Sequence, residues 1–306
     1  MLVHLDTDFG GDPDDACALA LLLAWPDVDV VGVTTTLEHG GARAGCAAYV
    51  LDLAGRSDIP VLAGAEETLT GNRYESTWRD ERYWPQPVAA LPPLPGAAID
   101  ALATAVDARA TIIAIGGLTN LAQLELAQPG ALAGAAVFAM GGWVDPPAPG
   151  LPEWGPERDF NIQCDTRAAE VVADSEADVT LGLLPVSAEV HLRARDLPRL
   201  RDAGAVGRLL ARQAEVYALD KDRAALVATH EALPDDLLNF HWDPLTAAVA
   251  VGWPGATLER VRLRPRFVDD ALAFVRDESG PAHRIITAVD AAAFAETWLE
   301  AVERLP

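Results

Sequence analysis

The chain is poor in cysteine, poor in positive charge, and without a long apolar run. Its three cysteines, Cys17, Cys46 and Cys164, are an odd number and widely separated, and they lie in apolar or helix-like surroundings. This excludes a disulfide framework and predicts reduced core thiols in a cytoplasmic protein. None stands beside a histidine at a spacing that suggests zinc. With 23 basic residues against 46 acidic ones, the formal charge is −23. Such a balance opposes nucleic acid and anionic membrane surfaces, and suits a small neutral ligand better than a polyanion. No segment approaches the roughly 18 uncharged apolar residues of a membrane span. The N-terminus enters a strand-like run directly, without a basic, signal-like leader. Internal repeats, low-complexity tracts and linkers are also missing, so residues 1–306 are expected to form a single domain.

What is present is a core. Half of the 306 residues are hydrophobic, enough for a large α/β domain. Apolar runs alternate with helical patterns: a strand at Leu2 to Leu5, a helix at 14–24, and a β-branched strand at 28–36. A helix at 42–54 and a short strand at 59–62 follow. After residue 97 the rhythm resumes as helix 97–107, strand 110–115, helix 119–127, strand 134–140, helix 166–173 and strand 178–184. Mostly helical sequence covers 196–232. A helix near Pro244, two or three strands between 257 and 288, and a closing helix at 291–302 complete the chain. This alternation predicts a mostly parallel open sheet with helices on both faces. Two irregular stretches interrupt it. Residues 66–95 carry Trp78, Tyr83 and Trp84 and read either as a surface excursion or as a flap of aromatic rings near a ligand. Residues 143–159 are proline-rich and carry Trp143, Glu153, Trp154 and Glu157.

The chemistry gathers at the first strand's carboxyl end, where Asp6, Asp8, Asp12, Asp14 and Asp15 fall within ten residues around Gly10-Gly11. In open α/β sheets ligands bind at that end of the strands. Several carboxylates in one turn repel one another, which raises their pKa values or calls for a cation. An all-oxygen set favours a hard ion such as calcium or magnesium. Helix capping accounts for part of the cluster, with Asp12 as N-cap, Pro13 at the first helical position, and Asp14 and Asp15 in the first turn. It does not account for Asp6 and Asp8 on the strand.

The opening Asp6-Thr7-Asp8-Phe9-Gly10, followed by Asp14-Asp15-Ala16 and Val31-Gly32-Val33-Thr34-Thr35, resembles the inosine-uridine-preferring nucleoside hydrolase family. The similarity continues at Arg56 to Ala65, Gly116-Gly117-Leu118-Thr119-Asn120, Met140-Gly141-Gly142, Asp159-Phe160-Asn161-Ile162 and Asp243-Pro244-Leu245. These landmarks keep the family's order over about 240 residues. The resemblance implies a Rossmann-like fold and calcium-dependent hydrolysis of the N-glycosidic bond of a ribonucleoside or related riboside, releasing base and ribose for salvage. It assigns calcium to Asp8, Asp15, the backbone carbonyl of Thr119 and Asp243, and makes Asp8 the general base. Asp14 would meet the ribose 2′- and 3′-hydroxyls and Asn161 the outer ones. A homodimer or homotetramer is implied as well.

Thr119-Asn120 and Asp243-Pro244 also suit plain helix caps. Between Asp8 and Asp14 the chain has two residues more than the commonest family pattern, so either Asp12 or Asp14 meets the sugar. His39 stands where the family usually has Asn, Asp159 replaces a Glu, and Glu153 falls near the place of a ribose-contacting Asn. These three are the candidate substrate contacts that depart from the family. Trp242 precedes the metal Asp, where purine-accepting members often carry a His, and is expected to stack on a base or to pack. His241 should point elsewhere. His230 is either a leaving-group acid or an ordinary helix-surface histidine. Two other functions fit parts of the pattern: a calcium-bound nucleoside or ribose binder without turnover, and a haloacid-dehalogenase-like phosphatase built on Asp6-x-Asp8. The second lacks its motif's continuation, because Phe9-Gly10 follows.

Overall fold

In a computed structural model, residues 1–10, 12–73 and 82–306 are described. Trp78, named above as part of a possible flap, lies outside them. Six strands come from the alternating part of the chain: β1 (Leu2–Thr7), β2 (Asp29–Thr35), β3 (Val61–Ala63), β4 (Thr111–Ala114), β5 (Ala136–Met140) and β6 (Asp178–Gly182). Two short strands, β7 (His191–Arg193) and β8 (Leu237–Phe240), pair antiparallel with each other. The tail supplies β9 (Ala256–Val268), β10 (Ala271–Arg276) and β11 (Ala282–Val289).

The main sheet has nine strands in the order β10-β9-β11-β6-β5-β4-β1-β2-β3. From β3 to β6, and on to β11, neighbours are parallel, whereas β9 runs antiparallel to both β11 and β10. The run 3-2-1-4-5-6 is that of a doubly wound sheet, whose order reverses between β1 and β4. A crevice therefore opens beyond the tips of β1 and β4, and the acidic turn leaves β1 at that point.

Helix burial follows the apolar pattern. The helix Asp14–Ala24 is buried from Asp14 to Leu22 without an exposed face, as a nearly unbroken apolar helix must be. It packs against the helices Trp242–Ala250 and Ala291–Val302, and Trp298 Nε1 donates to the Cys17 carbonyl at 3.0 Å. All three cysteines are buried and free. Among the described residues no helix is long and apolar enough to cross a membrane.

Small shifts separate the sequence pattern from the structure. The first helix spans Asp14–Ala24 as expected, but Pro13 rather than Asp12 takes the capping position. Asp12 still serves it, because its Oδ1 accepts the Asp14 N–H at 3.1 Å. Asp8 lies just past the end of β1 rather than on it. The expected helix near Pro244 starts at Trp242. In the first irregular stretch Tyr83 and Trp84 are buried. Trp84 meets Tyr49 edge to face at 5.7 Å, and the Tyr83 hydroxyl donates to Asp220 Oδ2 at 3.0 Å.

Candidate active site

Beneath the acidic turn a polar layer fixes the strand tips. Asn120 Nδ2 donates to Asp6 Oδ1 at 2.8 Å and to the Thr35 carbonyl at 3.0 Å, while its Oδ1 accepts the Ala65 N–H at 2.9 Å. One amide thus ties β1 to the end of β2 and to the segment after β3. Thr34 also donates to Asp6 Oδ1 and bonds to His4. Burial pushes the Asp6 carboxyl up to about 7 and the His4 ring down to about 4. Glu38 caps the next turn, accepting from Thr35 and from the N–H groups of His39, Arg43 and Ala44. At the tip of β4, a Cβ on Gly116 would lie 2.6 Å from the Asp8 nitrogen and 2.9 Å from its Oδ1. Only glycine lets that chain pass so near Asp8.

Above this layer opens a cleft of about 700 Å³, a size suited to a small organic ligand. Its acidic side is lined by Asp8, Asp12, Asp14, Asp15 and Asp243. Asp14, Asp15 and Asp243 are almost fully buried. One carboxylate oxygen each from Asp12, Asp14 and Asp15 falls within a sphere where all lie within 4.8 Å of one another. Burial raises the Asp8 and Asp12 carboxyls and raises those of Asp15 and Asp243 strongly. Mutual repulsion adds to it: Asp8 acts on Asp15, and Asp15, Asp12 and Asp8 all act on Asp243. Thr7 donates to Asp15 and the Tyr217 hydroxyl to Asp12 Oδ2 at 2.9 Å, which holds these groups in place. A dense, buried, oxygen-only set with uncompensated charge fits a hard divalent cation.

One positive charge reaches into this floor. Arg43 is 2% exposed, and its Nε and Nη1 donate to the Leu37 and Phe9 carbonyls at 2.8 and 3.1 Å. It lines the cleft and opposes the rise of the Asp8 carboxyl. His39, the expected contact in this region, is exposed and does not line the cleft. With Glu38 bonded to its N–H, the turn directs Arg43 inward instead.

The cleft is also lined by Asn161, Asp159 and aromatic rings. Asn161 Nδ2 donates to the Ile115 and Met140 carbonyls at the tips of β4 and β5, at 3.0 and 3.2 Å. Its amide nitrogen is thereby spent on backbone, and its oxygen is left to accept from a ligand hydroxyl. Asp159 lines the cleft, yet its two oxygens accept the Gly142 and Ile162 N–H groups, and burial raises its carboxyl to about 7. Glu153 is exposed and outside the lining, while its neighbour Trp154 is in it. Thr119 is fully buried under the site and donates to Asp165 Oδ2 at 2.7 Å. It does not line the cleft.

Trp242 and Trp154 line the cleft with ring centroids 5.7 Å apart, and Trp242 stacks on Phe240 at 4.5 Å. His241 turns away against Trp298, at 4.5 Å between centroids, and burial lowers its ring to about 3. Among the described residues no histidine lines the cleft, His230 included. Tyr217, Lys221 and Arg223 do line it, although their stretch reads in sequence only as helix. The one signal available was rarity, because Lys221 is the only lysine in the chain.

The chain matches the model of the family described as inosine-uridine preferring nucleoside hydrolase over residues 3–296. It is similar to the pyrimidine-specific ribonucleoside hydrolase RihA of Salmonella paratyphi C (strain RKS4594), with 32% identity over 214 residues, 66% of each chain. It is also similar to RihA of Shewanella sp. (strain MR-4), with 33% identity over 212 residues, 65% of this chain and 64% of that one. These alignments span about two thirds of the relatives' length. Among solved structures, the plant nucleoside hydrolase PpNRh1 shares the fold with a TM-score of 0.82 at 23% identity, covering 99% of this chain and 98% of that one. A purine-preferring ribonucleoside hydrolase from Gardnerella vaginalis gives 0.81 at 19%, with the same coverage. From its family match, with these relatives beside it, the chain belongs to the inosine-uridine preferring nucleoside hydrolases.

Proposed function

We propose that this protein hydrolyses the N-glycosidic bond of a ribonucleoside or related riboside, with calcium bound among the carboxylates of the cleft. The observation that carries the reading is that Asp8, Asp12, Asp14, Asp15 and Asp243 line one cleft together with Trp154 and Trp242, at the sheet's switch point. Departure of the base leaves an oxocarbenium-like sugar, whose positive charge buried carboxylates stabilise. Asp8, at the tip of β1, accepts the proton of the attacking water. Asp14 orients the ribose hydroxyls nearest the acids, and Asn161 accepts from an outer hydroxyl with its oxygen. Asp159, committed to two backbone N–H groups, shapes the loop that presents Asn161. Trp242 and Trp154 take the face of the base.

Asp8, Asp15 and Asp243 are the proposed protein carboxylate ligands of calcium, together with the Thr119 carbonyl. The close grouping of Asp12, Asp14 and Asp15, which includes neither Asp8 nor Asp243, supports Asp12 or Asp14 as a further ligand. Bound calcium would neutralise the cluster and make a water more acidic. Self-association as a homodimer or homotetramer is proposed on the resemblance alone, and sedimentation would decide it. His39 and Glu153 would have to move to touch a ligand in this cleft.

The test is a reducing-sugar assay across purine, pyrimidine and modified ribosides and their 2′-deoxy counterparts. Ribose release from at least one riboside is expected. Tight nucleoside binding without release from any of them would favour a binding protein instead.

A further inference from the structure

The protein's exposed arginines are largely paired. Arg199 bonds to Glu296 and Glu303, Arg276 to Glu259 and Asp145, and Arg284 to Asp178. Lys221, Arg223 and Arg158 all line the cleft, and among the described residues none of the three has a carboxylate within ion-pair distance, although the chain carries 46 acidic residues. Of these, Lys221 and Arg223 are also held against aromatic rings. Both follow the helix Gly204–Asp220 and line the cleft. Lys221 Nζ lies 5.5 Å from the centroid of Tyr217, and the Arg223 guanidinium lies 5.3 Å from the same ring. Arg223 is also 5.0 Å from the centroid of Phe240, the ring on which Trp242 stacks. Its Nη2 donates to Asn239 Oδ1 at 3.1 Å, whereas its buried Nε has no partner. Asp12, whose carboxylate interacts with both cations at longer range, is bonded by Tyr217 and, among the described residues, forms no ion pair with either.

A cation stacked on aromatic rings and short of an anion is a receptor for a flat, negatively charged group. The cleft supplies the other requirements: aromatic faces from Trp154 and Trp242, and, among the described residues, no histidine in its lining to protonate a departing base. We propose that Lys221 and Arg223 form an anion-accepting end of the cleft, which selects ribosides whose leaving heterocycle carries negative charge. The inference rests on the hydrolase reading for its account of the sugar end. The charge accepted belongs to an acidic substituent of the ring. Lys221 and Arg223 stabilise that charge without transferring a proton.

Heterocycle binding tests this without any bond being broken. Calorimetry of the calcium-loaded protein would compare uracil-5-carboxylate with uracil, at low and high salt. The carboxylate is expected to bind about tenfold more tightly at low salt, with the preference shrinking as salt rises. Lys221→Met, at an exposed site, is expected to remove most of the preference and to leave uracil binding unchanged. Arg223→Met should act in the same direction. Equal or tighter binding of uracil, no measurable binding of either, or variants that weaken both ligands equally would overturn the proposal. Failure to release ribose from any riboside would instead sink the hydrolase reading, and the measured preference would stand or fall apart from it.

Discussion

Two ends of the sheet treat the same residue types in opposite ways. At the β9–β10–β11 end, charges are exposed and paired: Arg276 with Glu259 and Asp145, and Arg266 with Asp277. At the β1–β4 end, Asp14, Asp15 and Asp243 are nearly fully buried, and among the described residues no arginine or lysine pairs with them. Exposed pairs cost little to form and contribute little, because water screens them. Buried carboxylates without a paired cation are expensive, so a fold keeps them where a ligand supplies the missing charge. The contrast separates surface order from function without reference to any relative.

The largest blow to that contrast should come from Asp15→Asn. Ribose release is expected to fall by about a thousandfold or more, while the metal-free protein melts at the same temperature or higher, because a repelling charge has gone. Melting curves and initial rates on the same preparation check both. Trp242→Ala comes next. Losing one face of the aromatic wall should lower kcat/KM by about ten- to a hundredfold and leave calcium affinity unchanged in a titration.

The two ends should also respond oppositely to pH. Asp159 has its carboxyl raised to about 7 by burial, from an ordinary value of 3.8. The folded protein therefore binds its proton more tightly than the unfolded chain does. That stability is fully present below about 4 and is lost as pH rises through about 7. Asp277 is the reverse: its bonds from Ser279 and Arg266 hold its carboxyl at about 2. Its contribution is present above 3.8 and fades as pH falls through about 2. Chelated protein should thus melt at lower temperature at pH 7 than at pH 5, and Asp159→Asn should flatten that slope. The smallest effect is expected from Arg276→Ala. Removing an exposed pair should cost less than about 1 kcal/mol in a urea melt, with no change in rate.

Much of this was legible in the sequence. The alternation of β-branched runs and apolar helices foretold the parallel sheet, and Asp8, Asp14, Asp15, Asn161 and Asp243 do converge on one cleft. Local pattern carried these residues because each sits at or just beyond a strand tip, or in the first turn of a helix. Strands β7 and β8 were missed, because three- and four-residue pairings are decided by tertiary contact rather than periodicity. Arg43 was missed because its direction depends on Glu38 capping the turn before it. Lys221 and Arg223 were missed because a helix's neighbours across the cleft leave no mark on its own spacing. Conversely, His39 and Glu153 were expected by position in the family, and the structure leaves both outside the cleft.

The most direct test of the central claim is a calcium titration of chelated protein, with bound calcium and ribose release read in the same samples, and Asp8→Ala beside the wild type. The account predicts that release returns in proportion to bound calcium and that Asp8→Ala stays inactive at saturation. Full release in chelator, or calcium bound with no effect on release, would contradict it.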